Sequence, residues 1–325
     1  MGCFFLKKLD IGVVGVGAIG SKHVELARTM GNLVAICDVK KKSYPFYQYY
    51  SLDAMLAKEQ LDMVSVCTPN GLHAEHVIKA LDSGCHVLCE KPMALSSVDC
   101  GRMIHAAEKA NRRLFVVKQN RFNPPVTVVK QALDAGWLGR LLDVQVNCFW
   151  NRNKEYYSKS DWRGTILDGG VLFTQYSHFI DLLLWFVGDV KDVFGHAEKQ
   201  MHSFPDTGVV LFRSMGGVMG TLNFTINSYG KNMEGSITLF GEKGTVKIGG
   251  EYLNRLEYQS IDGHVLVVPD EPLMGNRYGV NRGTSSNHDK VYRNVIDVLS
   301  GKGSIVTDML DGLRTVEFIE RVYEI

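Results

Sequence analysis

Gly15-Val16-Gly17-Ala18-Ile19-Gly20 constrains this chain more than any other stretch, because of what flanks it. Asp10-Ile11-Gly12-Val13-Val14 before it reads as a buried parallel strand, and Ser21 to Met30 after it carries a helical pattern. Glycines spaced this way between strand and helix form a dinucleotide fingerprint in its required setting. Gly15 allows the tight turn, Gly17 lets a pyrophosphate approach the backbone, and Gly20 lets the helix pack closely on the strand. Together with Ala18 and Ile19 they are the expected phosphate contacts, at a helix N-terminus that favours anions. The next strand, Leu33 to Cys37, ends in Asp38, 18 residues beyond Gly20. A carboxylate there accepts hydrogen bonds from the adenosine ribose and repels a 2′-phosphate, so NAD is expected in preference to NADP. Lys40, Lys41 and Lys42 pull the other way, but exposed charges are worth only about 0–1 kcal/mol each.

Strand and helix signals keep alternating to Val117: strands at Met63 to Cys67, Cys85 to Cys89 and Leu114 to Val117, helices near Leu72 to Ser83 and Ser97 to Asn111. Alternation of this kind predicts a doubly wound parallel sheet whose ligands sit at the strands' C-terminal edge. Thr68, Pro69, Asn70, Glu90, Lys91 and Gln119 all fall on that edge. Lys91 is the most telling of them, since hydride transfer from an alcohol needs a proton carrier beside a bound dinucleotide.

The pattern changes after Asn120. A helix from Pro125 to Ala135 leads into an alternating strand, Leu142 to Asn147, and four or five further strands follow between Val190 and Ile248 with turns at Met215-Gly216-Gly217 and Glu242-Lys243-Gly244. The fold class is therefore α/β, an N-terminal Rossmann domain over 1–119 followed by a C-terminal α+β domain over 120–325 built on an open-faced, mostly antiparallel sheet. Along β-strand residues 218–227 apolar positions alternate with polar, uncharged ones, so the sheet's second face suits another copy of the chain, as a homodimer or homotetramer. A helix predicted over Asp168 to Phe186 puts Thr174, His178, Asp181 and Trp185 on one stripe. His178 there is either a proton carrier oriented by Asp181 or a histidine bonded inside a packing interface.

Composition excludes several classes. At 325 residues with a net charge of +1, the chain has no electrostatic footprint for nucleic acid, and no apolar run is long enough to span a bilayer. Seven cysteines without a CxxC pair suggest buried small side chains, neither a disulfide framework nor a zinc site. No metal is expected, and the location is read as cytoplasmic.

The glycine fingerprint, Thr68-Pro69-Asn70 with His73, Glu90-Lys91-Pro92, and Gly169-Gly170 followed by His178 and Asp181 resemble the glucose-fructose oxidoreductase / inositol dehydrogenase / rhizopine-catabolism (Gfo/Idh/MocA) superfamily over essentially the whole chain. The resemblance implies that substrate lies over the nicotinamide of NAD, that Lys91 and His178 are the catalytic pair, and that the last helix, about 308–325, packs back on the first domain. It adds His73, Trp162 and Arg163 to the cofactor contacts, and Asn120, Arg121, Arg152, Arg163, Thr174 and His178 as substrate contacts. Two departures stand out. Thr174 occupies the place where many members carry an Asp four residues before the histidine, and the 38–52 segment is too short for the usual crossover helix, which predicts a loose adenosine pocket.

Within the superfamily, Gln119-Asn120-Arg121-Phe122, Phe149-Trp150-Asn151-Arg152 and Asp161-Trp162-Arg163-Gly164-Thr165 are similar to the branch that oxidises C3 of UDP-N-acetylaminosugar uronates for surface-polysaccharide synthesis. Guanidinium groups suit a diphosphate or carboxylate; a solvated surface is the other reading of Arg152 and Arg163. Oxidation of a free sugar or cyclitol, and a non-catalytic NAD-sensing regulator, are the alternative functions.

Overall fold

The computed structural model describes residues 8–250, 252–270, 275–278 and 281–325. It divides into two compact units, the first made of Met1–Val117 and His288–Val316, the second of Lys118–Asn287 and Glu317–Ile325.

The first unit is a six-stranded parallel sheet: β1 (Asp10–Val14), β2 (Asn32–Cys37), β3 (Tyr47–Tyr49), β4 (Met63–Val66), β5 (His86–Cys89) and β6 (Leu114–Val116), in the order β3-β2-β1-β4-β5-β6. Its strands are nearly all apolar and buried, as a sheet covered on both faces requires. Helices α1 (Ala18–Met30), α2 (Leu52–Lys58), α3 (His73–Asp82) and α4 (Ser97–Ala110) connect them. The α4 N-terminus is fixed by Ser96, whose hydroxyl accepts from the Asp99 N–H at 3.1 Å, and its end by Asn111 in the left-handed conformation. Because β1 pairs with both β2 and β4, strand order reverses beside β1, the place where open α/β sheets bind ligands.

The 38–52 segment differs from expectation. Instead of hanging loosely it is tied down: β3 pairs with β2, the Gln48 amide donates to the Asp38 and Lys40 carbonyls at 3.0 and 2.9 Å, and its oxygen accepts from the Lys42 N–H at 2.9 Å. A short strand with one bonded glutamine replaces the missing helix.

In the second unit, α5 (Pro124–Asp134) precedes β7 (Leu141–Phe149), followed by α6 (Lys154–Ser158) and α7 (Ser177–Val187). Strands β8 (Val190–Glu198), β9 (Thr207–Ser214), β10 (Met219–Thr225), β11 (Glu234–Gly241), β12 (Gly244–Gly249) and β13 (Arg255–Ile261) join β7 in a seven-stranded sheet, order β13-β12-β11-β7-β10-β9-β8. Every pair is antiparallel except β7 with β10. A hairpin of β14 (Gly275–Tyr278) and β15 (Asn281–Ser285) follows, then α8 (His288–Leu299) and α9 (Met309–Tyr323). The chain thus re-enters the first unit at α8, before its final helix.

One face of the large sheet is buried with α7: Val144, Val146, Leu222, Phe224, Ile237 and Leu239 share a core with Phe179, Ile180 and Leu183. The opposite face leaves Phe194, Val209, Leu211 and Met219 more than half exposed. The long helix expected from Asp168 starts later. Leu172–Tyr176 is a π-helical turn and the regular helix begins at Ser177, so Thr174 is out of phase with the stripe His178, Asp181, Trp185.

Candidate functional site

Each unit carries its own set of chemistry-bearing residues. In the first, Gly15 has φ +83°, and a Cβ there would lie 2.6 Å from the Cys67 backbone. A Cβ on Gly20 would fall 1.8 Å from the Gly15 oxygen, so only hydrogen fits at either position. Gly17 has nothing within 4 Å of its would-be Cβ, and it opens α1 without a side-chain cap or an acidic residue in the first turn. Open space before uncapped N–H groups at the positive end of a helix is what a pyrophosphate needs. The glycine loop fits a dinucleotide on its own geometry.

Asp38 stands at the end of β2 as expected, but already engaged. Its Oδ2 accepts from the Val16 N–H of the glycine loop at 2.8 Å and pairs with Lys42 at 3.3 Å, while Oδ1 accepts from the Lys40 N–H at 2.8 Å. The lysine cluster therefore partly serves the carboxylate it was weighed against.

Two expected cofactor contacts have other occupations. The buried His73 ring directs Nδ1 at the Pro92 carbonyl, 2.7 Å away, and Nε2 at the Thr68 carbonyl, 2.9 Å away, so it joins the loops after β4 and β5. Burial pushes its pKa down, although both carbonyls favour the charged ring. Glu90 is buried too: Oε1 accepts from His23 at 3.0 Å and His288 at 3.1 Å, and Oε2 accepts from the Lys91 N–H at 3.1 Å. Both side chains brace these loops from within. Pro69 leads into a one-turn helix, Asn70–Leu72, that presents Asn70, and Lys91 is half-buried at the sheet edge.

In the second unit, His178 is buried at the start of α7, its Nε2 3.4 Å from the Gln119 side-chain nitrogen. Asp181 is not its partner. That carboxylate takes Arg121 at 2.7 and 3.0 Å and Lys118 at 2.8 Å. Burial works against its charge, but the two cations outweigh it and hold the carboxyl below the usual range. Arg121 is accordingly an internal ion-pair residue, stacked 4.9 Å from the Trp185 ring, and is withdrawn from the substrate contacts. Asn120 is buried beside it, its amide oxygen accepting from Ser285 at 3.0 Å. These pairings join side chains distant in sequence, which local patterns do not show.

Thr174 donates to Asp168, whose other oxygen accepts from the Gly164 N–H at 2.7 Å. Asp168 was missed; its carboxylate reaches the position at which Thr174 replaces the family's aspartate, and the Asp168-Gly169-Gly170 run is the signal that could have found it. Arg152 and Arg163 come together on the Tyr156 ring, 5.1 and 4.5 Å from its centroid. The Tyr156 hydroxyl in turn accepts from Gln175 at 3.0 Å. Arg152 is 5% exposed and bonds only neutral acceptors, the Asn151 carbonyl at 2.6 Å and the Asn232 amide oxygen at 3.0 Å. The Nε atoms of both arginines are buried without a hydrogen-bond partner, and among the described residues no carboxylate pairs with either. Trp162 lies half-buried beside them, its ring 5.9 Å from the Arg163 guanidinium.

Comparison with known proteins agrees with this geometry. Residues 9–118 match the family described as "Oxidoreductase family, NAD-binding Rossmann fold", and residues 126–247 match the "GFO/IDH/MocA C-terminal domain". The crystal structure of the WlbA dehydrogenase from Bordetella pertussis, in complex with NADH and UDP-GlcNAcA, is 36% identical, covers 98% of this chain and 96% of its own, and superposes with a TM-score of 0.87. The myo-inositol 2-dehydrogenase of Thermotoga maritima is 28% identical over 73% of this chain and 74% of its own. An inositol 2-dehydrogenase of Salmonella typhimurium is 25% identical over 74% of each. Cofactor chemistry is thereby settled: the first unit is an NAD-binding domain. No helix among the described residues is long and apolar enough to cross a membrane.

Proposed function

Since the chain belongs to the Gfo/Idh/MocA family of NAD-binding oxidoreductases, we propose that it is an NAD-dependent sugar dehydrogenase whose substrate is a UDP-N-acetylaminosugar uronate, oxidised at C3 for surface-polysaccharide synthesis in the cytoplasm. The observation that carries the finer reading is the Arg152–Tyr156–Arg163 cluster, two guanidiniums with buried, unpartnered Nε groups and, among the described residues, no carboxylate of their own. Two uncompensated cations are costly unless an anion arrives, and a nucleotide sugar with a uronate brings both diphosphate and carboxylate. A cyclitol brings neither. The WlbA similarity points the same way.

Bound NAD supplies a hydride acceptor. On this reading Lys91 and His178 serve the reacting hydroxyl, one taking its proton as the carbon-bound hydrogen leaves and the other stabilising the oxygen. Gln119, its amide nitrogen 3.4 Å from His178 Nε2, orients the imidazole. Trp162 and Arg163 complete the cofactor and substrate contacts, and Thr174, bonded to Asp168, serves the substrate with it. The chain works as a homo-oligomer.

The reading is tested by following nicotinamide absorbance with UDP-GlcNAcA and with myo-inositol. Turnover with UDP-GlcNAcA alone, lowered by about 100 to 10,000-fold in Lys91→Met and His178→Asn while NADH still binds, is the expected result. Turnover with myo-inositol alone selects the free-cyclitol reading, which the inositol dehydrogenase relatives favour. Arg163→Leu is expected to raise KM for the UDP-sugar at least about tenfold, by loss of a charge-assisted hydrogen bond.

A further inference from the structure

Behind Lys91, inside the first unit, lies a buried polar chain with no part in the proposed reaction. Ser65 on β4 shares a hydrogen bond with the Tyr292 hydroxyl (2.7 Å), that hydroxyl lies 3.1 Å from His23 Nδ1, and His23 Nε2 donates to the Glu90 carboxylate (3.0 Å). His288, at the first residue of α8, meets the same Glu90 oxygen from another side at 3.1 Å. A ring nitrogen bonds a carboxylate oxygen only by donating, so both imidazoles carry a proton on Nε2. His288 Nδ1 is buried without a partner, which suits a bare lone pair and a neutral ring. With the Lys91 backbone N–H on its second oxygen, Glu90 accepts three N–H groups, an arrangement that favours the anion. Burial works against that charge, but the two histidine bonds outweigh it and keep the carboxyl well below its usual range. An amide would fill the same space without burying a charge. The charge therefore calls for a use.

We propose that His23 and His288 are positioning residues for Lys91: acting through Glu90, they fix a negative charge and the Lys91 backbone N–H at one point, and so keep the Lys91 side chain as its ammonium. The proposal deepens the assignment of Lys91 to the reacting hydroxyl and rests on it. Other groups around Glu90 do not supply that charge. The Cys67 and Cys89 thiols are kept protonated by burial, and Lys22 of α1, its pKa lowered by burial, feels both Asp289 of α8 and Glu90 itself. His73 of α3 is pushed toward its neutral form, and Tyr292 is held as the phenol. The ligand atoms of His23, Glu90 and His288 lie within 4.8 Å of one another, as a divalent cation would need, but hydrogen bonds of ordinary length already account for the arrangement.

The test titrates Lys91 itself in the full-length protein, from the pH dependence of its trace acetylation read by mass spectrometry. His288→Leu and His23→Leu are expected to lower the pH at which Lys91 becomes reactive by about one unit, a roughly tenfold faster labelling below its titration. His288→Gln, whose amide N–H can replace the Nε2 donor, restores the wild-type profile, which a merely structural role would not require. Where the leucine variants do not fold, Glu90→Gln gives the same readout. Unchanged labelling in folded variants overturns the proposal, as does one equivalent of zinc in the purified protein that is lost in His288→Leu. Labelling needs no turnover, so a wild-type rate in Lys91→Met would sink the functional reading separately.

Discussion

At the scale of single residues, the buried charges Glu90 and Asp181 are committed to partners far away in sequence. Asp181 shows the consequence: it was read as an orienting group for His178 from spacing alone, yet Lys118 and Arg121 claim it. Residue type and helix face were legible; the choice among partners depends on how the turn 119–122 meets α7, which no local pattern encodes. Asp181→Asn leaves two buried cations without their anion and is expected to cost about 3–5 kcal/mol in urea unfolding. A loss under 1 kcal/mol would show the trio to be well solvated. The same commitments set the response to acid. Glu90 and Asp181 have lowered folded pKa values, so their contribution is full above the unfolded values of 4.5 and 3.8 and is lost as pH falls through the folded ones. His73 and His288, lowered by burial, bind fewer protons folded than unfolded, so stability already declines as pH drops below 6.5. Urea midpoints should therefore fall from pH 7 to pH 5 and again below pH 4; a midpoint that rises on acidification contradicts these assignments.

At the scale of elements, β1, β2, β4, β5 and β6 with α1, α3 and α4 follow the sequence pattern closely, because a sheet buried on both faces demands continuous apolar runs and the glycines punctuate them, whereas β3 and α2 are not read from it. Besides these, α8 and the β14–β15 hairpin, three more features escape it. The short α6 has too few residues to show a period, β13 is an edge strand bearing Arg255 and Glu257, and the π-turn at Leu172–Tyr176 inserts a residue that no 3.6-residue period foresees. The glycine loop offers a sharp test of element-level reasoning. Gly17→Ala meets no atom, so the apparent melting temperature without cofactor should be unchanged while NADH binding weakens at least about tenfold, since a methyl group now stands where the pyrophosphate approaches. Gly20→Ala drives a Cβ into the Gly15 carbonyl and should lower the melting temperature itself. Equal NADH affinity in Gly17→Ala would place the phosphates elsewhere.

At the scale of the whole molecule, the sheet of the second unit keeps one face for its own core and leaves Phe194, Val209, Leu211 and Met219 outward among polar neighbours. The alternation along β10 made the two faces of the sheet readable in advance, whereas what covers the outward one is set by geometry that sequence does not carry. Light scattering at micromolar concentration is expected to give a dimer or tetramer, and Leu211→Arg to shift it toward monomer; a monomeric wild type would remove this face from consideration. The central claim, hydride transfer from C3 of a nucleotide sugar, is tested most directly by incubating the protein and NAD with UDP-GlcNAcA deuterated at C3 and analysing the reduced nicotinamide by mass spectrometry. The account predicts deuterium in the NADH formed by wild type and no NADH from Lys91→Met. NADH free of deuterium, or none at all from wild type, would contradict it.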